Sequence, residues 1–206
     1  ASHFEAWTAL QSTISAQIKY PLPASTLTET ECKSIMHPAF KAALPKAGIA
    51  ANIATDFRQG PFTSGGYGII SLYHYQGASR TAALVEHCYR QTPTGRLISI
   101  CIEDLALETG YFGLLWKMPF YNYCKWTSPH SWVFATCEYN YTNSIDINLH
   151  HHSLQPRRVH DKSIMAEVTK FFDSTSDLAS INRVRMFHGV VSLSDIATAD
   201  GRRLNE

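Results

Sequence analysis

Apolar residues recur every three or four positions along most of the chain, which is the spacing of one face of an α-helix. These faces predict helices whose core includes Trp7, Ile14, Leu97, Leu105, Trp132, Val168, Ile181 and Val184. A glutamate follows three residues after Ser2 and again after Thr28, which is the spacing of a helix-starting capping box. The pattern predicts a mainly α fold, an irregular arrangement of six to eight helices.

One segment shows a different pattern. Between residues 144 and 149, Ile145, Ile147 and Leu149 alternate with polar side chains, as in a half-buried strand. A lone strand needs a partner, and residues 68–72 are the candidate within the chain. We therefore predict at most a short strand pair beside the helices.

Proline and glycine indicate where several helices end. Pro38 should break or kink the helix that starts after Thr28, because proline cannot donate to the helical ladder. Gly48 is placed to close this helix in the left-handed conformation, and Gly110 is expected to end a later helix. With 206 residues, the chain is expected to form a single helical domain over residues 1–206, and a weak boundary, if one exists, should lie near residues 111–127.

Charge and cysteine usage narrow the classes of function. The net charge is only +1, so a strongly basic arm or acidic tail is excluded. The five cysteines contain no C-x-x-C pair, which argues against a disulfide scaffold or a zinc ribbon. A reducing compartment is favoured, so we expect an intracellular protein, cytoplasmic or nuclear. No apolar run approaches the roughly 18 residues that span a bilayer, so no membrane partner is expected.

A histidine cluster offers one possible chemistry. On a strand, His150 and His152 would point to the same side, and His160 or Asp161 could add a third metal ligand. This grouping would suit a small metal-dependent hydrolase, whereas a polar loop explains the same residues without a metal. The sequence has no nucleophile elbow, and its glycine segment lacks the Lys-Ser/Thr that completes a phosphate-binding loop. We predict no cofactor.

Scattered basic residues offer a second possibility. Arginine and lysine bind phosphates as a planar fork and as a point charge. The candidate phosphate contacts are Lys41, Lys46, Arg58, Arg96, Arg183 and Arg185. Acidic residues balance these charges, so a merely solvated surface is the competing interpretation.

Four blocks of sequence resemble one family. They lie at residues 5–14, 31–49, 94–108 and 182–202, and their most specific parts are Ala-Leu-Pro-Lys-Ala-Gly at residues 43–48 and Asp-Ile-x-Thr-x-Asp-Gly-Arg at residues 195–202. Their order resembles the region that follows the polymerase core in retrotransposon reverse-transcriptase polyproteins of unicellular eukaryotes. The similarity extends over nearly the whole chain, but residues 111–141 match poorly. The family's Gln-Gly-Leu-Gly-Ile segment is replaced by Gly-Gly-Tyr-Gly-Ile at residues 65–69.

The resemblance implies a thumb-like or connection domain. Such a region would grip primer-template duplex by non-specific backbone contacts, while an upstream core of an RNA-directed DNA polymerase performs the chemistry. No Asp-Asp pair is present to hold the catalytic metal ions, so this chain alone is not expected to polymerise nucleotides. The alternatives are a degenerate remnant without binding activity and the metal-dependent hydrolase.

Overall fold

The computed structural model describes residues 2–127, 131–149, 154–200 and 202–204. Over these residues the protein is mainly helical, which confirms the predicted fold class, and strand pairing is limited to two isolated bridges, Ser163 with Ser192 and Ala197 with Leu204. Two compact units are present, Ala1–Ala83 and Leu84–Glu206. The division lies within a helix and not near residues 111–127, and the single domain over residues 1–206 stays a prediction.

The first unit begins with three helical segments in succession. Helix α1 (His3–Thr8) leads through a π-helical stretch (Ala9–Ile14) into α2 (Ser15–Lys19), and a 3₁₀ turn (Leu22–Ala24) follows. The long helix α3 (Glu29–Lys46), the short α4 (Thr55–Gln59), a 3₁₀ turn (Phe62–Ser64) and the start of α5 (Leu72–His87) complete the unit. Its core lies between these elements and consists of Leu10, Leu22, Cys32, Met36, Leu44, Ile49, Ile69 and Leu72.

The second unit is organised around α6 (Pro93–Thr109) and α8 (Trp132–Thr142), which pack against each other. The remaining elements are a 3₁₀ turn (Leu115–Lys117), α7 (Phe120–Tyr123), α9 (Ile164–Val168), α10 (Thr175–Phe187) and α11 (Leu193–Ile196). The larger core cluster includes Leu84, Ile102, Leu105, Phe120, Val133, Phe134 and Ile147. A smaller cluster is formed by Trp126, Met165 and Leu178.

The two predicted capping boxes are present. In both capping boxes the hydroxyl accepts from the amide three residues later, at 3.2 Å for Ser2 and 3.3 Å for Thr28, and the glutamate carboxylate accepts in return. Gly48 and Gly110 have φ angles of +77° and +66°, the left-handed conformation that closes a helix. Local sequence signals therefore set these ends as expected.

The structure contradicts a break of the helix at Pro38 and a strand over residues 144–149. Helix α3 continues through Pro38 and includes Pro45 as well, because Met36 and Leu44 anchor it in the core on both sides of Pro38. Residues 145–149 form no strand, and residue 72, in the proposed partner segment, starts a helix instead. The alternation in this stretch reflects an extended segment that lies over the core, with Ile147 buried and the Leu149 carbonyl accepting from the Trp116 indole at 2.8 Å.

The predicted core is partly correct. Leu105 is only 1% exposed, whereas Leu97 is 63% and Val184 is 59% exposed, so these last two predictions are wrong. The other predicted positions are partly buried, namely Trp7, Ile14, Trp132, Val168 and Ile181. Leu97 misses the core because the buried face of α6 passes through Ile98, Ile102 and Leu105, so that Leu97 lies off its edge.

Candidate nucleic-acid interface

A row of basic side chains lies along the exposed side of α3. Lys33, His37 and Lys41 are spaced four residues apart, so they follow one another along the same side of the helix. All three are exposed, whereas Met36 and Leu44 of the same helix are buried. The continuity of α3 through Pro38 keeps Lys41 in register with the other two.

Arg58 faces the same helix from α4. Its guanidinium lies over the Phe40 ring, 4.7 Å from the ring centroid, and its Nη2 donates to Thr55 Oγ1 at 3.0 Å. Its Nε is buried and has no hydrogen-bond partner among the residues that the structure describes. Stacking on an aromatic face fixes a guanidinium without using its N–H edge, so Arg58 is held as a pre-oriented anion donor.

The glycine segment positions Arg58. The Arg58 carbonyl accepts from Ile69 N at 3.0 Å, and the Gly60 carbonyl accepts from Gly68 N at 2.8 Å, so residues 66–69 run alongside α4. A Cβ on Gly66 would come within 2.1 Å of the Gly60 carbonyl oxygen, a distance that no side chain can occupy. Glycine at this position therefore permits the close approach that holds α4 in place.

A groove of about 230 Å³ separates α3 from residues 55–74. Lys33, His37, Arg58 and His74 contribute basic groups to its lining, and Glu29 contributes an acidic one. Glu29 is paired with Lys33 at 2.6 Å, and this hydrogen bond and charge hold the pKa of the Glu29 carboxyl below its usual value. Because the pair is exposed, it is weak enough to be exchanged for a contact with an incoming phosphate.

Three of the other predicted phosphate contacts are exposed and lie on three different helices. Lys46 is exposed in the last turn of α3, a position that also suits a cation because the carbonyl end of a helix carries partial negative charge. Arg96 and Arg183 are exposed on α6 and α10 of the second unit. These three side chains are accessible to a ligand.

Arg185 is not available for the phosphate contact that the sequence predicts. It is only 5% exposed, and its guanidinium donates to the carbonyls of Leu107, Glu108 and Val190 and to Asn182 Oδ1 at 2.5–3.0 Å. Burial lowers the pKa of this guanidinium, and the nearby Glu108 opposes that effect. A guanidinium committed in this way cannot reach a phosphate, so Arg185 is structural.

The metal-site alternative gains no support from the described part of the chain. His150 and His152 lie outside the described residues, and His160 is exposed. Asp161 accepts from Ser194 Oγ at 2.5 Å and from Ser194 N at 3.1 Å; burial alone would raise its pKa, but these hydrogen bonds outweigh it and the pKa is lowered. No group of three or more His, Cys, Asp or Glu side chains suited to a metal ion occurs among the residues described.

Sequence reasoning missed three residues of this interface, Lys33, His37 and His74. The spacing of Lys33, His37 and Lys41 was a usable signal, but the expected break at Pro38 separated Lys41 from the other two. His74 could not have been found, since it reaches the groove from another helix.

Wider comparisons give no further guide. Searches against protein-family models, curated proteins and solved structures find no match to this chain. Within the described residues, no helix combines the length and the apolar character needed to cross a membrane.

Proposed function

We propose that this chain binds the phosphate backbone of duplex nucleic acid without sequence preference, as the thumb-like region of a retroelement reverse transcriptase would. The observation that carries the proposal is the row of Lys33, His37 and Lys41 on α3 together with Arg58 stacked on Phe40. Lysines supply mobile point charges and the stacked arginine supplies a fixed fork, which is a combination suited to phosphates that recur along a backbone.

The charge balance limits the affinity. The net charge is +1, so few phosphates can be neutralised without acidic groups opposing them. Lys41, Lys46 and Arg58 are the first-unit cations that we assign to phosphates, and Lys33 joins them when its bond to Glu29 opens. The same weakness is expected of a region that only assists a separate polymerase core.

The salt dependence of binding tests this proposal. Three phosphate contacts predict that log affinity falls against log salt with a slope of roughly −2.7 on DNA. Fluorescence anisotropy of a labelled DNA duplex, titrated at several salt concentrations, measures the slope. Repeating the titration with an unrelated duplex sequence should give the same affinity, because phosphates carry no direct sequence information.

Single variants assign the contacts. Lys41→Ala and Arg58→Ala should each reduce the magnitude of the slope by about 0.9 and weaken all sequences alike. Lys19→Ala removes one charge from α2, a helix that carries neither the basic row nor Arg58, and serves as the control of equal charge change. Arg58→Lys keeps the charge but loses the planar fork, so its affinity should fall between those of Arg58→Ala and the unmodified protein.

Two results would overturn the proposal. Absence of binding at low salt would favour the degenerate-remnant alternative. Equal effects of Lys19→Ala and Arg58→Ala would show that bulk charge, and not this interface, governs binding. Primer extension by the isolated chain with magnesium should stay at background, since the sequence has no Asp-Asp pair.

A further inference from the structure

A second cavity, of about 530 Å³, lies in the second unit at the corner between α5 and α6. One wall is formed by residues 88–91, which follow the end of α5. The other wall is one face of α6, on which Arg96, Ser99, Ile100 and Glu103 are spaced as neighbours on a helix surface. The volume is within the range of about 300–1,000 Å³ that is typical of small-molecule sites.

Gly95 allows the first turn of α6 to approach the end of α5 and the loop after it closely. A Cβ at residue 95 would come within 2.0 Å of the Arg90 carbonyl oxygen and 2.7 Å of the His87 carbonyl oxygen. The Thr92 hydroxyl caps α6 by accepting from Gly95 N at 3.1 Å, which fixes the first turn of the helix against this loop. The close approach keeps the Arg90 segment and the Arg96 turn on facing sides of one cavity.

The lining combines charge, an aromatic ring and an apolar floor. Arg90 and Arg96 are both exposed, and Tyr89, which also lines the cavity, is 55% exposed. Buried Cys88 and Ile102 form apolar surface beneath them. The Arg90 guanidinium pairs with Glu86 at 3.3 Å, and an exposed pair of this kind is readily exchanged for a phosphate.

We propose that this cavity binds a single nucleotide whose base is not stacked in a duplex. Arg96 and Arg90 would hold its phosphate, and the Tyr89 ring would stack on its base. Glu103 would accept from the sugar hydroxyls. The Glu103 carboxylate would repel a bare anion such as inorganic phosphate. It suits a phosphate ester that carries a sugar, because the sugar hydroxyls can donate to it.

Two sources could supply this ligand, a free nucleoside monophosphate or an unpaired nucleotide at the end of a strand. Binding of a free nucleotide is independent of the proposed duplex grip, whereas the strand-end source rests on that proposed function. Isothermal titration calorimetry of the full chain with AMP and with inorganic phosphate tests the pocket itself. Anisotropy with blunt and with overhanging labelled duplexes then separates the two sources.

We expect AMP to bind with a saturable isotherm and about tenfold or more tighter than inorganic phosphate, because stacking adds to the phosphate contact. Arg96→Ala should weaken AMP about tenfold or more, and Tyr89→Leu should weaken AMP but leave phosphate unchanged. Lys125→Ala, which removes an exposed charge outside this lining, is the control. Circular dichroism of each variant verifies that the helices remain folded.

The outcomes are distinguishable. Tight AMP binding with equal affinity for blunt and overhanging duplexes supports the pocket and identifies a free nucleotide as its ligand, even if the first unit binds no duplex. AMP binding no tighter than phosphate, or equal effects of Arg96→Ala and Lys125→Ala, overturns the proposal while leaving the duplex grip to be judged by its own salt dependence.

Discussion

Arg185 should be among the residues on which the second unit most depends for stability. Its guanidinium reaches Leu107 O and Glu108 O at the carboxyl end of α6, Val190 O in the loop after α10, and Asn182 Oδ1 within α10. The last carbonyls of a helix have no partner inside the helix, so Arg185 supplies donors to partly buried carbonyls at the end of α6. Its positive charge also lies at the negative end of the α6 dipole.

The cost of removing this side chain follows from those bonds. A hydrogen bond to a charged group contributes about 1.5–3 kcal/mol, and a buried acceptor left without a donor costs about 1–3 kcal/mol. Arg185→Ala leaves several such acceptors at once, but the individual costs do not add fully because water can enter part of the vacated space. We expect a loss of roughly 3–5 kcal/mol in the free energy of unfolding, a large share of the 5–15 kcal/mol typical of a folded domain.

Urea unfolding followed by tryptophan fluorescence measures the change as a shift of the midpoint. Arg183 is the matched control, since it is the same residue type on the same helix and is exposed. Arg183→Ala should change stability by no more than about 0.5 kcal/mol, and Arg185→Lys should recover only part of the loss because it lacks the planar fork. If Arg185→Ala and Arg183→Ala proved equally mild, the proposed link between α6 and α10 would be refuted.

Three further predictions concern the interior. Leu105→Ala should cost roughly 2–5 kcal/mol by urea unfolding, while Leu97→Ala, at a 63% exposed position on the same helix, should cost far less; equal losses would contradict the observed burial. Gln76 is fully buried and both donates to and accepts from the backbone of Leu27, at 2.8 and 3.1 Å, so Gln76→Ala should destabilise by about 1–3 kcal/mol, and an unchanged midpoint would disprove this role. Burial raises the pKa of the Cys137 thiol to about 12, so iodoacetamide at mildly alkaline pH should label Cys137 in urea but not in the native protein, as read by peptide mass spectrometry; rapid native labelling would argue against its burial.

The two capping boxes could be predicted from the sequence because their signals are local. Ser2 with Glu5 and Thr28 with Glu31 form the expected boxes, and Gly48 has the expected left-handed conformation. Each signal involves atoms only a few residues apart, so no knowledge of the tertiary fold is required. The helices themselves, and with them the mainly α class, follow from such signals together with the apolar spacing.

Burial of particular side chains was less predictable because it depends on which face of a helix meets a neighbour. Arg183 and Arg185 are two positions apart on α10, and a helix turns by about 200° over two residues, so they point to nearly opposite sides. Sequence alone treats them as equivalent basic residues. The packing of α10 against α6 determines that Arg185 is buried and hydrogen-bonded whereas Arg183 stays exposed.

The basic row on α3 was not predicted because the sequence shows the cost of a proline in a helix but not the tertiary contacts that offset this cost. A proline in a helix interior costs about 3 kcal/mol, which is enough to end an isolated helix. Met36 and Leu44, on either side of Pro38, are 4% and 0% exposed. Burying a side chain of this size contributes about 1.5–3 kcal/mol, so the two together match or exceed the cost of the proline. The helix therefore continues, and its continuation is what brings Lys41 into line with Lys33 and His37.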